Sequence, residues 1–152
     1  MIQRKTIAAL SLSAAALVSL VLSEGYSDRA IVPVPGDVPT IGFGTTTGVK
    51  LGDTITPPKA LARALVDVQK FEGALKKCVK VPLSQNEYDV WIQFSYNVGS
   101  SAFCNSTAVR KLNKGDYEGA CREIDNWVYV KGKRIQGLVN RRAKERDLCL
   151  GI

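Results

Sequence analysis

The chain has 152 residues, 45% of them hydrophobic and 23% charged, with a formal net charge of +7 and no histidine. That length suits one compact domain with a short appendage, and the hydrophobic content excludes disorder throughout. Without histidine, Ser-His-Asp triads and histidine-ligated zinc are excluded, and acid–base chemistry falls to carboxylates, Lys, Tyr or Cys.

Arg4 and Lys5 precede an uncharged run from Thr6 to Ser23. As a helix, a run of that length reaches roughly 27 Å, close to the hydrocarbon thickness of a bilayer. The charges before it would stay cytoplasmic, leaving the rest outside. Ala and Ser make up half of the run, which makes it hydrophobic enough to enter the export machinery but weakly held in lipid. Two readings compete: a signal peptide cleaved after Ser23, or a signal-anchor that stays attached and later leaves the membrane. The second is preferred, because cleavage would place Glu24 on a fraying chain end. The expected division is therefore a signal-anchor segment, 1–23, and a globular domain, 24–152.

Residues 24–50 read as strands and turns. Pro33, Pro35 and Pro39 exclude a helix, and Pro35-Gly36-Asp37 with Gly42, Gly44 and Gly48 punctuate the stretch. Thr40 to Gly44 alternates as a short strand would, so a small β-hairpin is expected. At Pro57 the pattern turns helical. Leu61, Leu65, Val68, Phe71 and Leu75 recur at helical spacing through Lys77. A second helix opens at Ser84, with Glu87 completing a capping box, and stops near Asn97-Val98-Gly99. Ser106 opens a third helix, to Leu112. Asp116 opens a fourth, through Ile124 and Trp127. A last helix runs from about Leu138 to Leu150, with Gly151 ending it. The layout is α+β: a hydrophobic N-terminal helix, a small β lobe, and a larger helical lobe facing it across a cleft, where ligands usually bind.

The positive charge suits an anionic partner such as nucleic acid, an anionic membrane or an acidic wall polymer. It is concentrated between Lys131 and Ile152, where seven Lys/Arg face two Asp/Glu. No interleaved basic–aromatic pattern or nucleic-acid motif accompanies it, so no nucleic-acid partner is expected. Cys78, Cys104, Cys121 and Cys149 match no zinc spacing. In an exported chain they favour disulfides, with three connectivities open.

The carboxylates of the β region are Glu24, Asp28 and Asp37, with Thr40 and Thr45 to Thr47 nearby. Glycoside hydrolysis needs two carboxylates, one to protonate the leaving oxygen and one to activate water or attack the sugar. A Glu between an apolar helix and a hairpin is partly desolvated, which favours the protonated form of an acid.

Glu24-Gly25-Tyr26, followed by Asp37-Val38-Pro39-Thr40-Ile41-Gly42-Phe43-Gly44, resembles the active-site stretch of the phage-type lysozymes, glycoside hydrolase family 24. Phe94 to Gly99, Phe103 to Thr107, Leu112 to Tyr117, and Gly137 to Arg142 with Glu145 resemble the family's later segments in the same order. The resemblance covers residues 24–150. It implies Glu24 as general acid, Thr40 as holder of the nucleophilic water, and an Asp on the hairpin. The commonest family pattern puts that Asp nine residues after the Glu. Here Pro33 stands there, and the Glu24–Thr40 spacing is one residue longer. Asp37 is taken as the second carboxylate, with Asp28 as runner-up. The resemblance further implies an inverting cleavage of the β-1,4 bond between N-acetylmuramic acid and N-acetylglucosamine in peptidoglycan, without metal or cofactor.

The N-terminal run resembles that of signal-anchor-release endolysins. The partners implied are the host export machinery, the host inner membrane through residues 6–23, and peptidoglycan reached from the periplasm by a monomer. An alternative is a non-catalytic, exported wall-binding protein with a lysozyme-like body. Trp91 and Trp127 are expected in the core, and Asn97 either beside the cleft or at a helix end. Arg141 and Arg142 are expected on wall peptides or in solvent.

Overall fold

The structure is a computed structural model describing residues 1–152. Two compact units divide it: Ser13–Lys70, and Met1–Leu12 together with Phe71–Ile152.

In the first unit, helix α1 (Ala14–Glu24) starts where Ser13 Oγ accepts from Ala16 N at 3.1 Å. It buries Ala16 and Leu20. Strands β1 (Ser27–Ile31) and β2 (Thr40–Gly42) pair antiparallel, Ser27 opposite Gly42 and Ile31 opposite Thr40, with an irregularity between. On its other edge β1 takes two bonds from the 53–55 segment: Ala30 N to Asp53 O at 3.0 Å and Ile55 N to Asp28 O at 2.9 Å. Helix α2 (Pro57–Cys78) then leaves this unit and enters the second.

The expected apolar face of α2 holds at Val68 and Leu75, which are buried, but not in its first turns. Leu61 and Leu65 are 44% and 45% exposed, while Ala60, Ala64 and Val68 are buried. The reason is a close backbone approach. Gly42 has φ +64, and a Cβ there would stand 2.9 Å from the Ala60 Cβ. Small residues must therefore face the hairpin, and the leucines turn outward.

The second unit is helical: α3 (Gln85–Val98), α4 (Ser100–Cys104), α5 (Thr107–Asn113), α6 (Tyr117–Glu123) and α7 (Gln136–Leu150). Ser84 and Glu87 form the expected capping box, while Ser106 and Asp116 cap α5 and α6. Gly151, at φ 75, ends α7. Trp91, Phe94 and Phe103 pack as a buried aromatic cluster, their rings 5.7 to 6.3 Å apart. Two elements escaped the sequence reading: α4, and a hairpin of β3 (Tyr129–Val130) with β4 (Lys133–Arg134). Its turn is Lys131-Gly132, both at positive φ, as tight hairpin turns require.

Cys78 bonds Cys104 and Cys121 bonds Cys149, which resolves the three connectivities. With separations of 26 and 28 residues, chain-entropy arguments assign each about 3–4 kcal/mol.

The continuous N-terminal helix expected over Thr6–Ser23 does not form. A 3-10 turn at Ile7–Ala9 gives way to extended backbone at Leu10, and α1 begins only at Ala14. No helix is long and apolar enough to cross a membrane. Tertiary bonds divide the run. Lys5 and Leu83 exchange two backbone bonds of 2.8 and 3.0 Å, Leu12 N donates to Glu72 Oε1 at 2.7 Å, and Lys76 Nζ donates to Leu10 O at 2.7 Å. Met1–Leu12 therefore packs with the helical unit.

Candidate active site

Glu24 is the last residue of α1 and is half-buried. Leu20, with no exposed surface, holds the final turn of that helix in the unit. Gly25 N closes it on Val21 O at 3.2 Å, and Gly25, at φ 71, turns the chain into β1. Left-handed backbone of this kind favours glycine. Tyr26 braces the exit: its hydroxyl donates to Ile55 O at 2.8 Å, and its ring lies 5.4 Å from that of Phe43.

Thr40 opens β2 and is half-buried. Its Oγ1 donates to Val38 O at 3.2 Å, leaving the oxygen lone pairs to accept from another donor. The strand is fixed from behind. Ile41 and Thr45 exchange backbone bonds of 2.9 and 3.0 Å across the glycine turn, and Thr45 Oγ1 donates to Asp67 Oδ2 at 2.6 Å.

Glu24 and Thr40 line one cavity of about 350 Å³, together with Tyr26, Ser27, Ile31 and Pro33 among others. Neither aspartate is among its lining residues. Asp37 sits in an exposed turn, its amide donating to Val34 O at 2.9 Å and its Oδ1 accepting from Val38 N at 3.2 Å. Asp28 is exposed on β1, and successive strand residues face opposite ways. Its neighbour Ser27 faces the cavity instead. The sequence reading named Glu24 and Thr40 and missed Tyr26 and Ser27, for which only the Glu-Gly-Tyr string gave a signal.

In the helical unit, Arg142 is buried rather than solvated or free for a wall peptide. It donates to Trp127 O at 2.9 Å, to Glu145 Oε2 at 2.6 Å and to Asn97 Oδ1, with its guanidinium over the Phe94 ring. Arg141 pairs with Glu145 at 3.0 Å. Trp91 is fully buried as expected. Trp127 is half-buried and lines, with Asn97, Tyr129 and Arg142, a second cavity of about 380 Å³.

The phage lysozyme family model matches residues 14–145. The chain belongs to that family and is a lysozyme-type glycosidase with peptidoglycan as its substrate class. It is 40% identical over 141 residues to the SAR-endolysin of Pseudomonas phage phiKMV, covering 90% of this chain and 87% of that one. The endolysin of Escherichia coli O157:H7 phage FAHEc1 superposes with a TM-score of 0.80 at 35% identity, covering 97% of this chain and 96% of that one. The muramidase domain of SpmX from Asticaccaulis excentricus superposes with a TM-score of 0.84 at 30% identity, covering 92% and 97%. The lysozyme-like fold, helices with small sheets, follows from these likenesses.

Proposed function

We propose that this chain is an endolysin that cleaves the β-1,4 bond between N-acetylmuramic acid and N-acetylglucosamine, lysing the bacterial host to release phage. Glu24 protonates the leaving glycosidic oxygen. Thr40 accepts a hydrogen bond from the water that attacks the anomeric carbon on the opposite face of the sugar. Asp37, in the turn three residues before Thr40, is the proposed electrostatic partner. The observation that carries this reading is the meeting of Glu24, from a helix end, and Thr40, from a strand, on one cavity. A half-buried carboxyl at a helix end, on the wall of that cavity, suits the donor of a proton to a bound glycosidic oxygen.

The proposal extends to the route outward. Residues 6–23 carry the chain through the host export machinery and hold it in the inner membrane. Release then places it in the periplasm as a monomer. Relatives at 32–40% identity bear the name SAR-endolysin, which supports this route. While the segment lies in lipid, α1 is unavailable to hold Glu24, and the enzyme is silent.

The test is purified full-length protein against Glu24→Gln on chloroform-treated Gram-negative cells, followed by turbidity. Loss of lysis with folding intact supports Glu24 as the acid. Equal lysis by both proteins rejects it. The same pair separates the enzyme from a wall-binding protein without activity, since binding alone clears no cells.

A further inference from the structure

The lining of the Glu24 cavity contains nine residues, and Glu24 is the one carboxylate among them. Pro33, nine positions after Glu24, contributes to the lining without a titratable group. Asp28 and Asp37 are exposed and absent from the lining. An inverting hydrolysis needs a base on the face of the sugar opposite the acid, to take the proton of the attacking water. Thr40 orients a water but is no base, because the pKa of its hydroxyl lies far above neutral. On the cavity wall itself, no second carboxylate stands ready to take that proton.

The acid side supplies an acceptor. When Glu24 gives its proton to the glycosidic oxygen, the bond from that oxygen to C1 of the muramyl ring breaks. N-acetylglucosamine leaves with its 4-hydroxyl restored. Glu24 is then a carboxylate, facing the β side of a carbon that carries developing positive charge. The muramyl ring holds a nucleophile of its own on that side, the 6-hydroxyl, tethered to the same sugar. A tethered nucleophile needs no separate binding step and reacts at a high effective concentration.

We infer that cleavage by this chain partitions between two nucleophiles, giving a lytic transglycosylase activity beside hydrolysis. In the second channel the 6-hydroxyl oxygen donates its electron pair to C1, forming the C1–O6 bond. Its proton passes to Glu24, which regains the form in which it began. The products are a strand ending in 1,6-anhydro-N-acetylmuramic acid and a strand beginning with N-acetylglucosamine. No water is consumed, and Glu24 serves as acid and then as base. In the first channel, water held by Thr40 gives an ordinary reducing end. The inference rests on the proposed role of Glu24, and adds the fate of the sugar after bond breaking.

The experiment is digestion of purified peptidoglycan with the full-length protein, followed by borohydride treatment and mass spectrometry of the released muropeptides. Anhydro ends are one water lighter than reducing ends and inert to borohydride. They are counted over those already present in an undigested control. New anhydro ends from the wild-type protein, and a several-fold rise in their share with Thr40→Ala, are the expected results. Wild-type products that are all reducible would overturn the inference while leaving the glycosidase reading intact. No released muropeptides of either kind would overturn both.

Discussion

Arg4 Nη2 stands 2.7 Å from Glu87 Oε1, joining positions 83 residues apart. The Glu87 side chain is 2% exposed and that of Arg4 29%. The guanidinium also lies over the Tyr117 ring, 3.5 Å from its centroid. Its bonds to Glu87 raise the Arg4 pKa above the ordinary arginine value. Glu87 meanwhile accepts from Ser84 N in the capping box. One buried carboxylate therefore starts α3 and fastens the N-terminal arm.

Removing Arg4 leaves that carboxylate without its cation. Breaking a buried pair costs about 3–5 kcal/mol. The partial exposure of Arg4 lowers this to about 2 kcal/mol, or roughly 4–8 °C in Tm for a chain of this size. Arg4→Met is expected to show that loss by calorimetry. Arg4→Met in a Glu87→Gln background should lose much less, because the buried charge is gone. An unchanged Tm in the single variant would mean that the arm is not fastened through this pair.

The second prediction concerns α1. Glu24 is held at the end of a helix whose other residues all belong to the proposed anchor, with Ala16 and Leu20 buried beneath it. Deleting residues 1–23 and supplying a cleavable signal instead removes that helix and leaves Glu24 near a chain end. Activity on isolated peptidoglycan should fall at least about ten-fold, the cost of a small displacement at a reacting centre. Full activity in the truncated protein would sink the idea that release of the segment builds the site.

The third prediction tests the support behind Thr40. Thr45 is 2% exposed and Asp67 9%, and their 2.6 Å bond ties the glycine turn to α2. Lys70, 3.7 Å from Asp67 and largely in solvent, compensates little. Thr45→Val keeps the shape and leaves Asp67 short of a donor, at a cost of about 1–3 kcal/mol. Urea unfolding should show that shift, and kcat should drop as β2 loosens. Thr45→Ser should restore both. A valine variant as stable as the parent would show that the turn is fixed by its backbone bonds alone.

What the sequence disclosed followed from local rules. Ser84 with Glu87, Ser106, Asp116 and Gly151 each mark a helix end through bonds within a few residues, and each stands where it was expected. The exposure of Leu61 and Leu65 was not legible, because it depends on how closely Gly42 approaches Ala60. The break in the Thr6–Ser23 run was hidden for a similar reason. Its composition reads as one helix, but Glu72, Lys76 and Leu83 divide it through bonds that span 60 residues or more. Glu24 and Thr40 were named through a short collinear string and line one cavity, while the exposure of Asp37 depends on the turn that Pro35-Gly36 makes.

The last prediction is a pH dependence carried by Glu123. Lys111 Nζ lies 2.5 Å from its Oε1, and Asn126 donates to Oε2 at 2.8 Å. The Lys111 bond, ahead of a smaller opposing effect of burial, lowers the Glu123 pKa below the ordinary 4.5. A depressed folded-state pKa means that the unfolded chain binds more protons in the window between the two values. Stability from this group is therefore fully present above about pH 4.5 and is lost as the pH falls through the folded pKa. Both side chains are partly in solvent, so the contribution stays within about 1 kcal/mol. Glu123→Gln should melt a few degrees below the parent at pH 7, and the gap should close as melts are repeated toward pH 3. A gap that stays constant over that range would assign the loss to the hydrogen bonds rather than to the charge.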